Sequence, residues 1–119
     1  MKYGIDIDGT ISFLPEFFAL LTKALIDNGH EVHIITYRSK SNRFDTMKDL
    51  ENWSISYTEL HMAGYSDSPM HLWKASLAEK LNIDVMFDDS IEIIAAMPKK
   101  VKRLWIHDPD IIDLSNHFN

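Results

Sequence analysis

The chain has 119 residues, 45% of them hydrophobic and 25% charged, enough for one domain with a real apolar core and too few to expect two. Eighteen Asp and Glu against 12 Lys and Arg leave a net charge of −6, which opposes polyanions and argues against a dedicated nucleic-acid binder. Cysteine is absent, which excludes disulfides, thiolate metal sites and a cysteine nucleophile, and no apolar run reaches the ~18 residues of a membrane span.

Reading in chain order, MKYGIDID meets acids before any long apolar segment, so it lacks the h-region of a secretory signal, and a cytoplasmic enzyme or binding domain is expected. Residues 2–7 alternate, with Tyr3, Ile5 and Ile7 on one side, as a strand does. Pro15 suits a helix first turn, and Phe17, Leu20, Leu21, Ala24 and Leu25 recur at helical spacing until Gly29 stops the helix. EVHIIT, 31–36, is a β-rich strand, followed by a polar loop at 37–43, a helix over about 44–53 and a weaker strand in YTELHMA, 57–63. Ser and Asp capping signals before Pro69, with Trp73, Leu77 and Leu81 four apart, mark another helix. IDVMF, 83–87, is a strand, SIEIIAAM a short helix closed by Pro98, and VKRLWIH the last strand. No repeat, linker or low-complexity segment divides 1–119.

Strictly alternating strands and helices imply right-handed crossovers and a parallel sheet covered on both faces, an α/β fold in three layers. In such sheets ligands bind beyond the carboxyl ends of the strands. Asp6 and Asp8 end the first strand, Thr36 the second, and Asp88 with Asp89 the fourth, while Lys74 starts the helix after the third. Four carboxylates on one edge repel each other unless a cation is present. An oxygen-only donor set suits a hard ion, and Mg²⁺ is the natural choice because it keeps waters that phosphate oxygens can replace. Helix N-termini on the same edge add N–H groups suited to phosphate.

Each residue also has a plainer reading. An isolated buried Asp pair can be structural, Thr36 an ordinary strand-end hydroxyl and Lys74 a solvated helix lysine, so their weight comes from shared placement. Arg38 is either a contact for substrate phosphate or sugar or a solvated loop residue. Trp53, Trp73 and Trp105 read as core or interface. His30, His33, His61, His71, His107 and His117 show no metal spacing and read as structural or surface residues, and the basic run 98–103 as a solvated face.

DIDGT at 6–10, IIT at 34–36, Lys74, and DD at 88–89 together resemble, in order, the four motifs of the haloacid-dehalogenase-like (HAD) phosphohydrolases, across residues 3–97. A finer likeness, in TYRS, Thr46, Trp53 and FDDS, is to the 5′(3′)-deoxyribonucleotidase-like branch. The resemblance implies a Rossmann-like core with a five-stranded, mostly parallel sheet and a Mg²⁺-dependent phosphomonoesterase, with a nucleotide or sugar phosphate as the substrate class. It makes Asp6 the nucleophile that becomes phosphorylated, and Asp8 the general acid and then the base. Mg²⁺ would sit on the Asp6 carboxylate, the Asp8 carbonyl and a motif-four acid, Asp89 directly and Asp88 through water. Thr36, the Tyr37 N–H and Lys74 would grip the phosphoryl group, and Gly9, Thr10 and Arg38 complete the implied substrate-binding set.

Tyr37 departs from the small residue common in that branch and either narrows the pocket or offers a ring to a base or sugar. Neither usual insertion point leaves room for a cap domain, so a homo-oligomeric neighbour, the 37–43 loop or a large substrate would have to cover the site. Two other classes compete. A phosphoacceptor receiver domain uses similar residues in a different order, with the acidic pair early and the phosphoacceptor after the third strand. A non-catalytic phosphate-binding module would keep the pocket without the chemistry.

Overall fold

The inner strands are buried on both faces, and alternating side-chain direction along them sorts the apolar residues into two cores. In the computed structural model, which describes residues 1–64 and 68–110, the elements run β1 Lys2–Ile5, α1 Pro15–Asp27, β2 Glu31–Ser39, α2 Arg43–Asn52, β3 Glu59–Ala63, α3 Met70–Leu81, β4 Val85–Asp88, α4 Ile91–Ala96 and β5 Lys102–Trp105. The strand order is β3-β2-β1-β4-β5 and every pairing is parallel, with Ile5 between Ile34 and Phe87. Ile5, Val32, Ile34, Leu60, Val85 and Phe87 form one core with Phe18 of α1 and Leu50 of α2, while Ile35 and Met86 form the other with Ala78 of α3 and Ile93 of α4. The result is the expected three-layer, Rossmann-like α/β fold, its sheet parallel throughout. The order reverses between β1 and β4, and a crevice opens there at the carboxyl ends.

Local structure differs from the sequence expectation in three places. β1 ends at Ile5, and residues 6–12 form a wide turn in which the Ile11 and Ser12 N–H groups reach the carbonyls of Asp6 and Ile7. The turn needs Gly9, whose φ of 84° is strained for any side chain. α1 buries Phe18 and Thr22 rather than a Phe17–Leu20 face, and leaves Leu20 75% exposed. Apolar residues surround that helix, so periodicity alone does not choose the inner side. β2 continues through the expected 37–43 loop as far as Ser39, because β3 keeps pairing with it across a bulge between Thr36 and Ser39.

Lys99, Lys100, Lys102 and Arg103 are exposed, as expected of the basic run. No helix among the described residues is long and apolar enough to cross a membrane. The capping signals at Ser66 and Asp67, and His117, lie outside the described residues.

Candidate active site

The crevice is an open cleft of about 390 Å³ lined by Asp6, Asp8, Thr36, Tyr37, Arg38, Lys74, Asp88 and Asp89. Four segments distant in sequence deliver them: the turn after β1, the bulged end of β2, the second turn of α3, and the end of β4.

Lys74 is the centre of charge. Its Nζ, 1% exposed at the side chain, donates to Asp6 Oδ1 at 2.7 Å and to Asp88 Oδ2 at 2.8 Å. Burial alone would lower this ammonium, but the Asp6 and Asp88 charges hold its pKa above the ordinary lysine value. Asp6 also accepts from the Thr10 hydroxyl at 3.1 Å. Burial, reinforced by Asp88 and opposed by Lys74, nonetheless pushes Asp6 up to about 7. Asp88 is raised as well, chiefly by burial. One lysine between several acids leaves negative charge to be neutralised.

The donor set fits a hard cation. Asp6, Asp88 and Asp89 each offer a carboxylate oxygen, and the three lie within 4.8 Å of one another. Both oxygens of Asp88 are engaged, Oδ2 by Lys74 and Oδ1 by the Ser90 N–H at 2.9 Å. Asp89 is fixed by its backbone instead, the Trp105 indole N–H donating to its carbonyl at 2.9 Å, and its side chain receives a long 3.5 Å approach from the Thr10 hydroxyl. Gly9 makes room for that side chain, since a Cβ there would collide with Asp89 Oδ2. A carboxylate is thus packed against bare backbone at the mouth of an acidic cluster. The Asp8 carboxylate lies outside this group.

Asp8 is held by Arg38. The guanidinium donates from Nε to Asp8 Oδ2 at 3.0 Å and from Nη2 to Oδ1 at 2.8 Å, a two-point clamp, while Nη1 reaches Asp49 at 2.8 Å and Thr46 at 3.3 Å on α2. These bonds hold Asp8 below the usual carboxylate range and Arg38 above its own. Arg38 is therefore not a solvated loop residue: it lines the cleft and bridges it to α2. Thr46 and Asp49 complete that bridge. Thr46 carried a family signal in the sequence, and Asp49 follows it at i+3, the same helix face, but nothing in the pattern joined them to Arg38.

Among the remaining expected residues, Thr36 is buried and its hydroxyl accepts from the Arg38 N–H at 3.2 Å. Tyr37 lines the cleft with its ring edge-on to Trp73 and its hydroxyl donating to the Ser68 carbonyl at 2.8 Å. Thr10 is fully buried beneath the cleft, and Gly9 faces Asp89 rather than the open space.

A second cluster lies away from the cleft. Register places His61 of β3 beside Ile35, and Glu59 beside His33, so rings 28 residues apart meet across the strands. Linear spacing could not show this, and of the described residues His33, His61 and Glu59 form the other group able to hold an ion.

No family model matches the sequence, and no curated protein does. Among solved structures, a chain of the Pnkp1/Rnl/Hen1 RNA repair complex aligns with a TM-score of 0.75 at 17% identity, covering 89% of this chain and 42% of that one. A chain from a second structure of the Pnkp1/Rnl/Hen1 complex aligns at 0.74 and 17%, covering 89% and 46%. This likeness is one of fold, and the present chain spans less than half the length of either neighbour.

Proposed function

We propose that the chain is a Mg²⁺-dependent phosphomonoesterase of the HAD type. The observation that carries this reading is the convergence of Asp6, Lys74 and the Asp88–Asp89 pair on one side of the cleft with an Arg38-clamped Asp8 on the other. Asp6, Asp89 and the Asp8 carbonyl would hold Mg²⁺, with Asp88 behind them, and the bound ion would stabilise charge developing on phosphoryl oxygens.

The chain's own residues supply the rest. Lys74 and a cation keep Asp6 ionised, so that a carboxylate oxygen attacks phosphorus as the bond to the leaving oxygen breaks and its electron pair departs with that oxygen. Asp8 delivers a proton to the leaving alkoxide and, as carboxylate, then takes one from the water that attacks the aspartyl-phosphate. Expelled phosphate carries away the original phosphorus, and Asp6 returns. A substrate phosphate competing for the guanidinium would loosen the clamp and let the Asp8 carboxyl rise toward its ordinary value, favouring the proton that Asp8 must take from solvent before it can give one to the leaving oxygen. Thr36 and Tyr37 border the space left for the phosphoryl group and the alcohol.

The test is hydrolysis of a panel of phosphomonoesters by the purified chain with and without Mg²⁺, spanning nucleotides, sugar phosphates and polynucleotide ends. The solved neighbours come from an RNA repair complex, which earns the last class its place. Expected is Mg²⁺-dependent release of phosphate that Asp6→Asn abolishes and that Asp8→Asn lowers about 10²–10⁴-fold. No turnover of any ester, or an Asp6→Asn protein as active as the parent, would contradict the reading. An aspartyl-phosphate lasting hours would instead favour a signalling phosphoacceptor.

A further inference from the structure

The histidine cluster on β2 and β3 has the features of a built metal site. His33 is buried in the interior strand β2, and its Nδ1 lies 2.9 Å from His61 Nε2 on the edge strand β3. Glu59 Oε2 stands 3.7 Å from the same His61 nitrogen. One ligand atom from each of the three residues lies within 4.8 Å of the others. The far nitrogen of His33, Nε2, bonds Glu31 Oε1 at 3.0 Å, the carboxylate–histidine arrangement that fixes ring orientation and tautomer in metal centres. Glu31, His33, Glu59 and His61 share one sheet face by strand alternation and register.

We infer that His33 Nδ1, His61 Nε2 and Glu59 form a binding site for a transition-metal ion of the Zn²⁺ class, oriented by Glu31 and separate from the acidic cleft. Two imidazoles and one carboxylate suit Zn²⁺ and are a poor set for Mg²⁺, which prefers oxygen donors. Tetrahedral coordination at Zn–N bonds of 2.0–2.1 Å separates the two nitrogens by about 3.3 Å; the rings, with centroids 5.2 Å apart, now aim these nitrogens at each other, so binding would open the 2.9 Å pair by a few tenths of an ångström and swing both rings out of line toward the ion. Access is from solvent: the Glu59 side chain is 58% exposed and that of His61 17%. The bound ion would cross-link the edge strand to its neighbour, and one coordination position would remain for water.

The experiment uses the full chain, stripped with a chelator and returned to excess Mg²⁺ so that the acidic cleft is occupied. Zn²⁺ is titrated calorimetrically into the parent and into Asp89→Asn, while side-chain ¹H–¹⁵N NMR follows the histidine rings. One Zn²⁺ equivalent is expected in both proteins, with the His33 and His61 ring resonances shifting together. His61→Ala should lose that equivalent, and Glu31→Gln should weaken it about 10–100-fold. Zn²⁺ binding that leaves the His33 and His61 resonances unmoved, or that survives His61→Ala unchanged, would overturn the site. So would no binding at all with Zn²⁺ in excess, which reduces the cluster to a hydrogen-bonded pair of rings. The NMR readout on the parent stands even where a variant folds poorly.

Discussion

Asp8 and Arg38 show most clearly how a single contact sets chemistry. The clamp keeps the Asp8 carboxyl low, so Arg38→Ala should let it rise toward the ordinary value near 3.8, measurable as a carboxyl ¹³C titration; an unchanged Asp8 titration would mean the clamp does not govern it. The sign for stability follows from a depressed folded pKa: the contribution of the pair is present above 3.8 and is lost as pH falls through the lower folded value. Gly9 is the second residue on which the site turns. Gly9→Ala forces a side chain into positive φ at about 1–2 kcal/mol and displaces Asp89, so both the denaturation midpoint and Mg²⁺ affinity should fall. Retained Mg²⁺ affinity would remove Asp89 from the ligand set. The acids and Lys74 were legible in the sequence because each lies close to the carboxyl end of a strand or the start of a helix, although the turn after β1, and not the strand itself, carries Asp6 and Asp8. The partners of Arg38 were not, since Thr46 and Asp49 reach it from another helix and only tertiary packing selects them.

At the level of elements, propensity and punctuation located the four α-helices and five strands of the described residues but missed the short helical turns at 7–11 and 40–42, and faces and ends needed the neighbours. α1 carries apolar residues at 17–21 and 24–26, so its stripe is ambiguous, and the sheet chooses Phe18. Phe18→Ala should cost about 3–5 kcal/mol in urea unfolding, while Leu20→Lys should stay within about 0.5 kcal/mol. Equal costs at both positions would contradict the observed orientation. β2 outran its expected end because β3 pairs past the bulge, and that extension carries Tyr37 and Arg38 to the cleft. β5 contributes through Trp105, whose indole N–H holds the Asp89 carbonyl. Sequence reading placed this tryptophan in the core or an interface because nothing local marks a donor acting across a strand pair.

The whole molecule stores a charge imbalance at the switch point of its sheet, and on the proposed reading a divalent cation and a proton would compete for it. In chelated protein the folded chain holds a proton on Asp6 up to about 7, above its unfolded value of 3.8. Between those values the folded state binds more protons than the unfolded one, so this group's contribution falls as pH rises, and levels off above about 7. Mg²⁺ should reverse the trend by stabilising the ionised cluster. At about a hundred times its Kd it adds about 2.7 kcal/mol, so thermal unfolding with and without Mg²⁺ should diverge far more at pH 8 than at pH 5. The same divergence at both values would place the ion elsewhere.

The phosphorylation of Asp6 itself is the most direct test. Enzyme quenched in acid during turnover of its best substrate, then digested and read by mass spectrometry, should carry one phosphoryl group on the peptide containing Asp6, labile to hydroxylamine and absent from Asp6→Asn. An unmodified Asp6 peptide alongside undiminished turnover by Asp6→Asn would show that the carboxylate at the centre of the cleft is not the nucleophile.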